Sequence, residues 1–191
     1  MVAMAYEAAW PAAGQPFTVE DLDKLPDDGR RYELLDGVLI VSPRPTTVHQ
    51  LAASLLTTRL TISCPDDFYV VAEPAVQVND KTEFDPDIVV VRREDVGGAK
   101  FWTPPLLAIE IRSPSTAIVD RNAKLAAYER FGVASYWIFD PSPEQPELTV
   151  FELRDGSYQQ IAQASGSSAL RIERPFSVEI IPAKLTLAPL P

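Results

Sequence analysis

Asp85-Pro86-Asp87-Ile88-Val89-Val90-Val91 and Leu106-Leu107-Ala108-Ile109-Glu110-Ile111-Arg112 decide how this chain folds. Both runs are nearly unbroken in aliphatic residues, the pattern of strands covered on both faces. Each also carries an acid that packing does not explain: Asp87 at the mouth of the first run and, 23 residues later, Glu110 inside the second. A carboxylate set among Leu107, Ala108, Ile109 and Ile111 is costly to bury unless it is paired, hydrogen-bonded or bound to a cation. If the two strands are neighbours, Asp87 and Glu110 point to one side and make a hard-oxygen site for Mg²⁺ or Mn²⁺. The alternative is structural, with Asp87 capping a turn after Pro86 and Glu110 pairing with an arginine such as Arg112 at a sheet edge.

Outward from these strands, the chain alternates periods. Residues 1–16, rich in Ala and Pro, read as a flexible arm, and 17–191 as one domain. Thr18, with Asp21 three residues on, is an acidic variant of the capping box and opens a short helix. Asp36-Gly37 and Asp155-Gly156 each separate two apolar runs, the strongest short-range hairpin signal. Val48, Leu51, Ala52, Leu55, Leu56 and Leu60 fall at helical spacing and predict an amphipathic helix over about 47–62, with Thr46 or Thr47 as its cap. Strands follow near 68–73, 75–78, 87–91 and 106–112. A second helix is expected over roughly 117–131, stopped by Gly132, then a strand at 135–139, the second hairpin and a tail of strand over 170–190. The order indicates an α/β or α+β domain, a mixed sheet flanked by helices with additional β-hairpins.

Composition excludes several classes. The chain has 191 residues, 17 Lys+Arg, 27 Asp+Glu, one His and one Cys, with a formal net charge of −10. Cys64 has no intrachain partner, and with His49 the only other soft ligand, a Cys/His zinc site is ruled out. The N-terminal stretch lacks a secretory pattern, and no segment approaches a membrane span, so a cytoplasmic protein with no membrane association is expected. The charge disfavours a protein coated in Lys and Arg for phosphate binding. It is uneven, however: residues 73–95 hold seven acids against three bases, whereas 112–130 hold four bases against two acids.

Five further residues bear on chemistry. Asp120, Lys124 and Tyr128 recur at i, i+4 and i+8 on one stripe of the second helix. A lysine there would stabilise developing negative charge on a phosphate, or would simply form a solvated pair with Asp120. Glu33 alternates with Tyr32 and Leu34, and is either a site acid or the solvent face of a half-buried strand. His49 lies near the start of the first long helix, where anions are favoured, and lone histidines are most often structural.

The acid pair with its following lysine resembles the PD-(D/E)XK nuclease superfamily, and more narrowly its Uma-type restriction-endonuclease-like proteins. The matching pieces run in family order: Tyr32-Glu33-Leu34-Leu35-Asp36-Gly37, His49, Asp85-Pro86-Asp87-Ile88-Val89-Val90, and Ile109-Glu110-Ile111-Arg112-Ser113-Pro114-Ser115-Thr116. They continue with Asp120-Arg121, Lys124, Tyr128, Gly132-Val133 and Tyr136-Trp137-Ile138-Phe139-Asp140. Each piece is weak alone; the ordered set is specific.

The resemblance implies a restriction-endonuclease-like core and a Mg²⁺- or Mn²⁺-dependent endonuclease acting on DNA, with an inactive nucleic-acid-binding or regulatory module of the same fold as the alternative. Asp87 and Glu110 would be metal-binding carboxylates, with the Ile111 carbonyl as third ligand. The superfamily's lysine normally stands two residues after the glutamate. Here that residue is Arg112, which cannot deprotonate and suits a phosphate better than a base role. The lysine of this branch would instead be Lys124. Glu33 would be the family's additional acid, His49 a further catalytic residue, and Tyr128 a second phosphate contact. DNA would be a weakly held partner with strong salt dependence, and a homodimer would match the two-fold symmetry of a duplex.

Overall fold

The computed structural model describes residue 11 and residues 14–112 and 120–186, apart from the side chains of Asp120 and Arg121. Most of the expected arm, the Ser113-Pro114-Ser115-Thr116 motif, the first part of the expected second helix and the last residues of the tail lie outside the described residues.

A one-turn helix α1 (Val19–Leu22) opens the fold. Thr18 caps it as expected: its Oγ1 accepts the Asp21 N–H at 3.3 Å while its own N–H donates to Asp21 Oδ2 at 3.0 Å. Strands β1 (Arg31–Leu35) and β2 (Val38–Ser42) form the first hairpin around Asp36 and Gly37. Both turn residues have positive φ, 49° and 82°, which is why Asp-Gly stands there. Helix α2 (Thr47–Ser63) buries His49, Ala52, Leu56 and Leu60 in one stripe, and its cap is Thr46, whose Oγ1 accepts the His49 N–H.

Strands β3 (Phe68–Ala72), β4 (Val76–Asn79), β5 (Thr82–Phe84), β6 (Ile88–Arg92) and β7 (Leu107–Ile111) follow. After residues 113–119, a wide π-helical turn over Asp120–Lys124 runs into helix α3 (Leu125–Phe131), which stops at Gly132 with φ 91°. Strand β8 (Ser135–Asp140) and the hairpin β9 (Glu147–Arg154) and β10 (Ser157–Ser165) come next. The tail is a small hairpin, β11 (Leu170–Ile172) with β12 (Val178–Ile180), and a final 3-10 turn at Pro182–Leu185.

The central sheet has the order β10-β9-β8-β7-β6-β3 and is mixed, because β7 and β8 run parallel while the other pairs are antiparallel. A second sheet, β2-β1-β5-β4, lies against it. Alternate residues of the central strands face two clusters. On one side Ile88, Val90, Leu107, Ile109, Trp137 and Phe139 pack with α2 and the tail hairpin. On the other Val89, Val91, Ala108 and Tyr136 pack with Val76 and Phe84 of the second sheet and with Tyr128 of α3. Both faces are covered, as the aliphatic runs of β6 and β7 required. Among the described residues no helix is long and apolar enough to cross a membrane.

Candidate active site

β6 and β7 are antiparallel neighbours with Ile88 opposite Ile109, so continuing the register by one residue sets Asp87 opposite Glu110. Directly opposed positions share a face. Both acids lie at the end of the sheet where β1 and α3 converge, and both are buried, as are Glu33, His49 and Lys124.

Lys124 organises one half of the site. Its Nζ lies 2.8 Å from Glu33 Oε1 and 3.2 Å from Glu110 Oε1, and the Tyr128 hydroxyl donates to the same Glu110 oxygen at 2.9 Å. Lys124 and Tyr128 stand four residues apart, so the helix presents them together. Burial, then the charge of Glu110, pushes the Tyr128 phenol well above its usual range, which keeps it a donor. Glu33 Oε1 also accepts the Asp85 N–H at 3.0 Å, tying β1 to the Asp-Pro-Asp turn. Glu33 is thus a member of the cluster rather than a solvent-face residue.

Asp87 organises the other half. Its Oδ2 accepts the Ile111 N–H at 2.7 Å, and its Oδ1 faces His49 Nε2 and Arg31 Nη1, each at 3.0 Å. An ionised acceptor at that distance assigns the His49 proton to Nε2. Nδ1 is buried without a hydrogen-bond partner. Burial pushes the Asp87 carboxyl up, but His49, Arg31 and the Ile111 N–H outweigh it and hold the group below the usual carboxylate range. Asp85 goes the opposite way: burial first, then the charges of Glu33 and Glu83, push it up to about 7.

Arg31 is the residue that sequence reasoning missed. Its Nη2 reaches Glu73 Oε1 at 2.9 Å while Nη1 holds Asp87, and the surrounding acids, Asp87 foremost, outweigh burial and keep it charged. A signal existed, since Arg31 stands two residues before Glu33 on one strand and therefore on its face. Arg112 is not brought into this cluster. Its Nη1 donates to Asp140 Oδ2 at 2.7 Å, and both side chains are partly exposed. Of the four bases over 112–130, Arg112 pairs with Asp140, Lys124 is buried between two acids and Arg130 pairs with Asp36, while the Arg121 side chain lies outside the described residues.

The donor set suits a divalent cation in one respect and limits it in another. Glu33, Asp87 and Glu110 bring three negative charges against Arg31 and Lys124, a surplus of one before Asp85 is counted. Among the described residues no group of three His, Cys, Asp or Glu side chains forms a ready metal cage. Two carboxylates and a backbone carbonyl match the way Mg²⁺ is held, by one or two acids with water and substrate phosphates completing the shell.

A mixed sheet sandwiched by helices, with an acid on each of two adjacent central strands and a lysine from the helix beyond, is a nuclease-like α/β architecture. Residues 19–188 match the Uma2 family, described as "Putative restriction endonuclease", and the chain belongs to that family. Among solved structures it is similar to a "putative nuclease belonging to DUF820" from Anabaena variabilis, with a TM-score of 0.70 and 17% identity over 89% of this chain and 97% of that one. At that identity the likeness is one of fold. No curated protein matches this chain.

Proposed function

We propose that the chain is a metal-dependent endonuclease that hydrolyses DNA phosphodiester bonds. The observation that carries this reading is Lys124: an ammonium buried within 2.8 Å of Glu33 and 3.2 Å of Glu110, beside the opposed Asp87. Burying a lysine and three acids at the end of a sheet is an expensive way to hold a fold together, and such clusters gather at functional sites.

Asp87 and Glu110, with the Ile111 carbonyl, would hold Mg²⁺ or Mn²⁺, and the bound ion supplies charge for the phosphate and a lowered pKa for the attacking water. Lys124 stabilises charge developing on the transferred phosphate, in a dry setting where that charge counts most. Glu33 and Tyr128 fix the lysine and Glu110 so that little reorganisation is needed. His49 orients Asp87 through Nε2. Arg112, partly exposed beside its Asp140 partner, suits a phosphate farther along the substrate. DNA is the partner in this reading and a homodimer the working assembly, in a single domain over 17–191 in the cytoplasm.

Purified protein with Mn²⁺ or Mg²⁺ should nick plasmid DNA, and Asp87→Ala or Glu110→Ala should abolish it. Nicking that survives both changes would sink the mechanism. One observation favours the inactive nucleic-acid-binding module instead: Asp87 already has a cationic partner in Arg31, and Glu110 one in Lys124. Gel-shift binding with no nicking, and no calorimetric Mn²⁺ binding, would select it.

A further inference from the structure

Three arginines line one open groove that reaches Asp85 and Arg31, the neighbours of the acid cluster. The groove encloses about 470 Å³, and its walls set Arg30, Arg31 and Arg44 against five acids, Asp23, Asp27, Glu73, Glu83 and Asp85, of which Asp23 and Glu83 already share Lys100. The three cations differ in what they already hold. Arg30 is neutralised by Asp28. Arg31 is divided between buried Asp87 and Glu73, whose side chain is 57% exposed. Arg44 has no carboxylate partner among the described residues.

Arg44 is nevertheless fixed in place. Its Nε donates to the Gly29 carbonyl at 3.1 Å, and the guanidinium lies so close over that residue that a Cβ at Gly29 would sit 2.4 Å from Nη2. Gly29 also has φ +82°, a conformation side chains resist. Glycine there serves the turn, and the guanidinium rests over the space its missing side chain leaves. Holding an exposed guanidinium beforehand lowers the entropy lost on binding, and its fork matches two oxygens of a phosphate.

The surroundings say which anion is meant. On a chain of net charge −10, a broad basic face is missing, and beyond the two acids held by Lys100 the groove itself carries Asp27, Glu73 and Asp85. A polyanion lies along this groove only if fixed cations offset those acids. We propose, resting on the nuclease reading above, that Arg44 and Arg31 bind backbone phosphates of the DNA strand entering the site. Arg31 keeps Asp87 through Nη1 while Nη2 exchanges Glu73 for a phosphate oxygen. The exchange trades one charge-assisted bond for another at the exposed, Glu73 end of the pair.

The test measures binding of a fluorescein-labelled duplex by anisotropy across a salt series with EDTA present, alongside Mn²⁺-dependent plasmid nicking. Each lost phosphate contact should make the plot of log affinity against log salt shallower by about 0.9, a factor of about 3.5 between roughly 50 and 200 mM. Arg44→Ala should show this with little change in melting temperature, since the side chain is exposed and its one hydrogen bond is to the carbonyl of a surface turn. Glu73→Gln should act in the opposite direction and tighten binding, because it frees Nη2 and removes a repelling charge. A wild-type slope in Arg44→Ala, or weaker binding in Glu73→Gln, overturns the proposal while nicking by wild-type protein leaves the nuclease reading intact. No binding and no nicking by wild-type protein would remove both.

Discussion

The two faces of the central sheet are made from the same strands and held by different physics. Toward α2, Ile88, Val90, Leu107 and Ile109 meet Ala52, Leu56 and Leu60, all wholly buried aliphatic surface. That attraction is non-directional and scales with area. Toward α3 and the second sheet, Val89 and Ala108 do the same, but the strand ends carry Asp87 and Glu110. There stability is conditional: each charge is tolerable only while its partner stays. The first face should lose stability in proportion to the atoms removed, and the second according to which partner is removed.

Lys124→Ala should be the harshest test, costing about 3–5 kcal/mol in urea denaturation because Glu33 and Glu110 are left as buried, uncompensated acids. Little change would mean that the cluster is already hydrated and the contrast between the faces is false. On the first face, Leu56→Ala should cost about 2–5 kcal/mol by lost burial and a residual cavity. The two differ in how they can be repaired. Combining Lys124→Met with Glu33→Gln and Glu110→Gln removes the charges together, and should return the protein to within about 2 kcal/mol of wild type. Nicking should stay abolished in that triple variant, separating the cluster's role in chemistry from its role in folding.

Much of the aliphatic face was legible in the sequence, and less of the charged one. The helical spacing of Ala52, Leu56 and Leu60 and the Asp-Gly turns are local signals, and the structure follows them. The central placing of β6 and β7 was readable because both are covered on two faces, whereas their adjacency stood only as a condition and is supplied by the sheet order. β5, Thr82–Phe84, was not, since Thr82-Glu83 has no apolar pattern and is a strand only because Leu34 and Val76 lie beside it. Glu33 was ambiguous for a related reason. Alternation puts one side of β1 in solvent, yet Leu34 packs on α1 while Glu33 meets Lys124, so both sides are covered. Arg31 escaped because its partners lie 42 and 56 residues away. Alternation gives the face Arg31 shares with Glu33, but not which distant acids it meets there.

The smallest expected effect sharpens the comparison through pH. The buried members of the α2-side cluster carry no titratable group, whereas Tyr158 packs against the other side and donates its hydroxyl to the Val133 carbonyl at 2.8 Å. Burial, then the charge of Glu129, raises its phenol above the ordinary value of 10.0. The folded state therefore keeps the proton where the unfolded chain gives it up. Stability from this group is intact below pH 10.0 and falls as pH rises through that value toward the higher folded one. By about pH 11 the loss should approach 1.4 kcal/mol. Tyr158→Phe should cost about 1 kcal/mol at neutral pH for the missing hydrogen bond, yet show a flatter alkaline decline than wild type. Parallel declines would mean that the phenol ionises as freely in the fold as outside it, and that this edge of the second face is as indifferent to charge as the first.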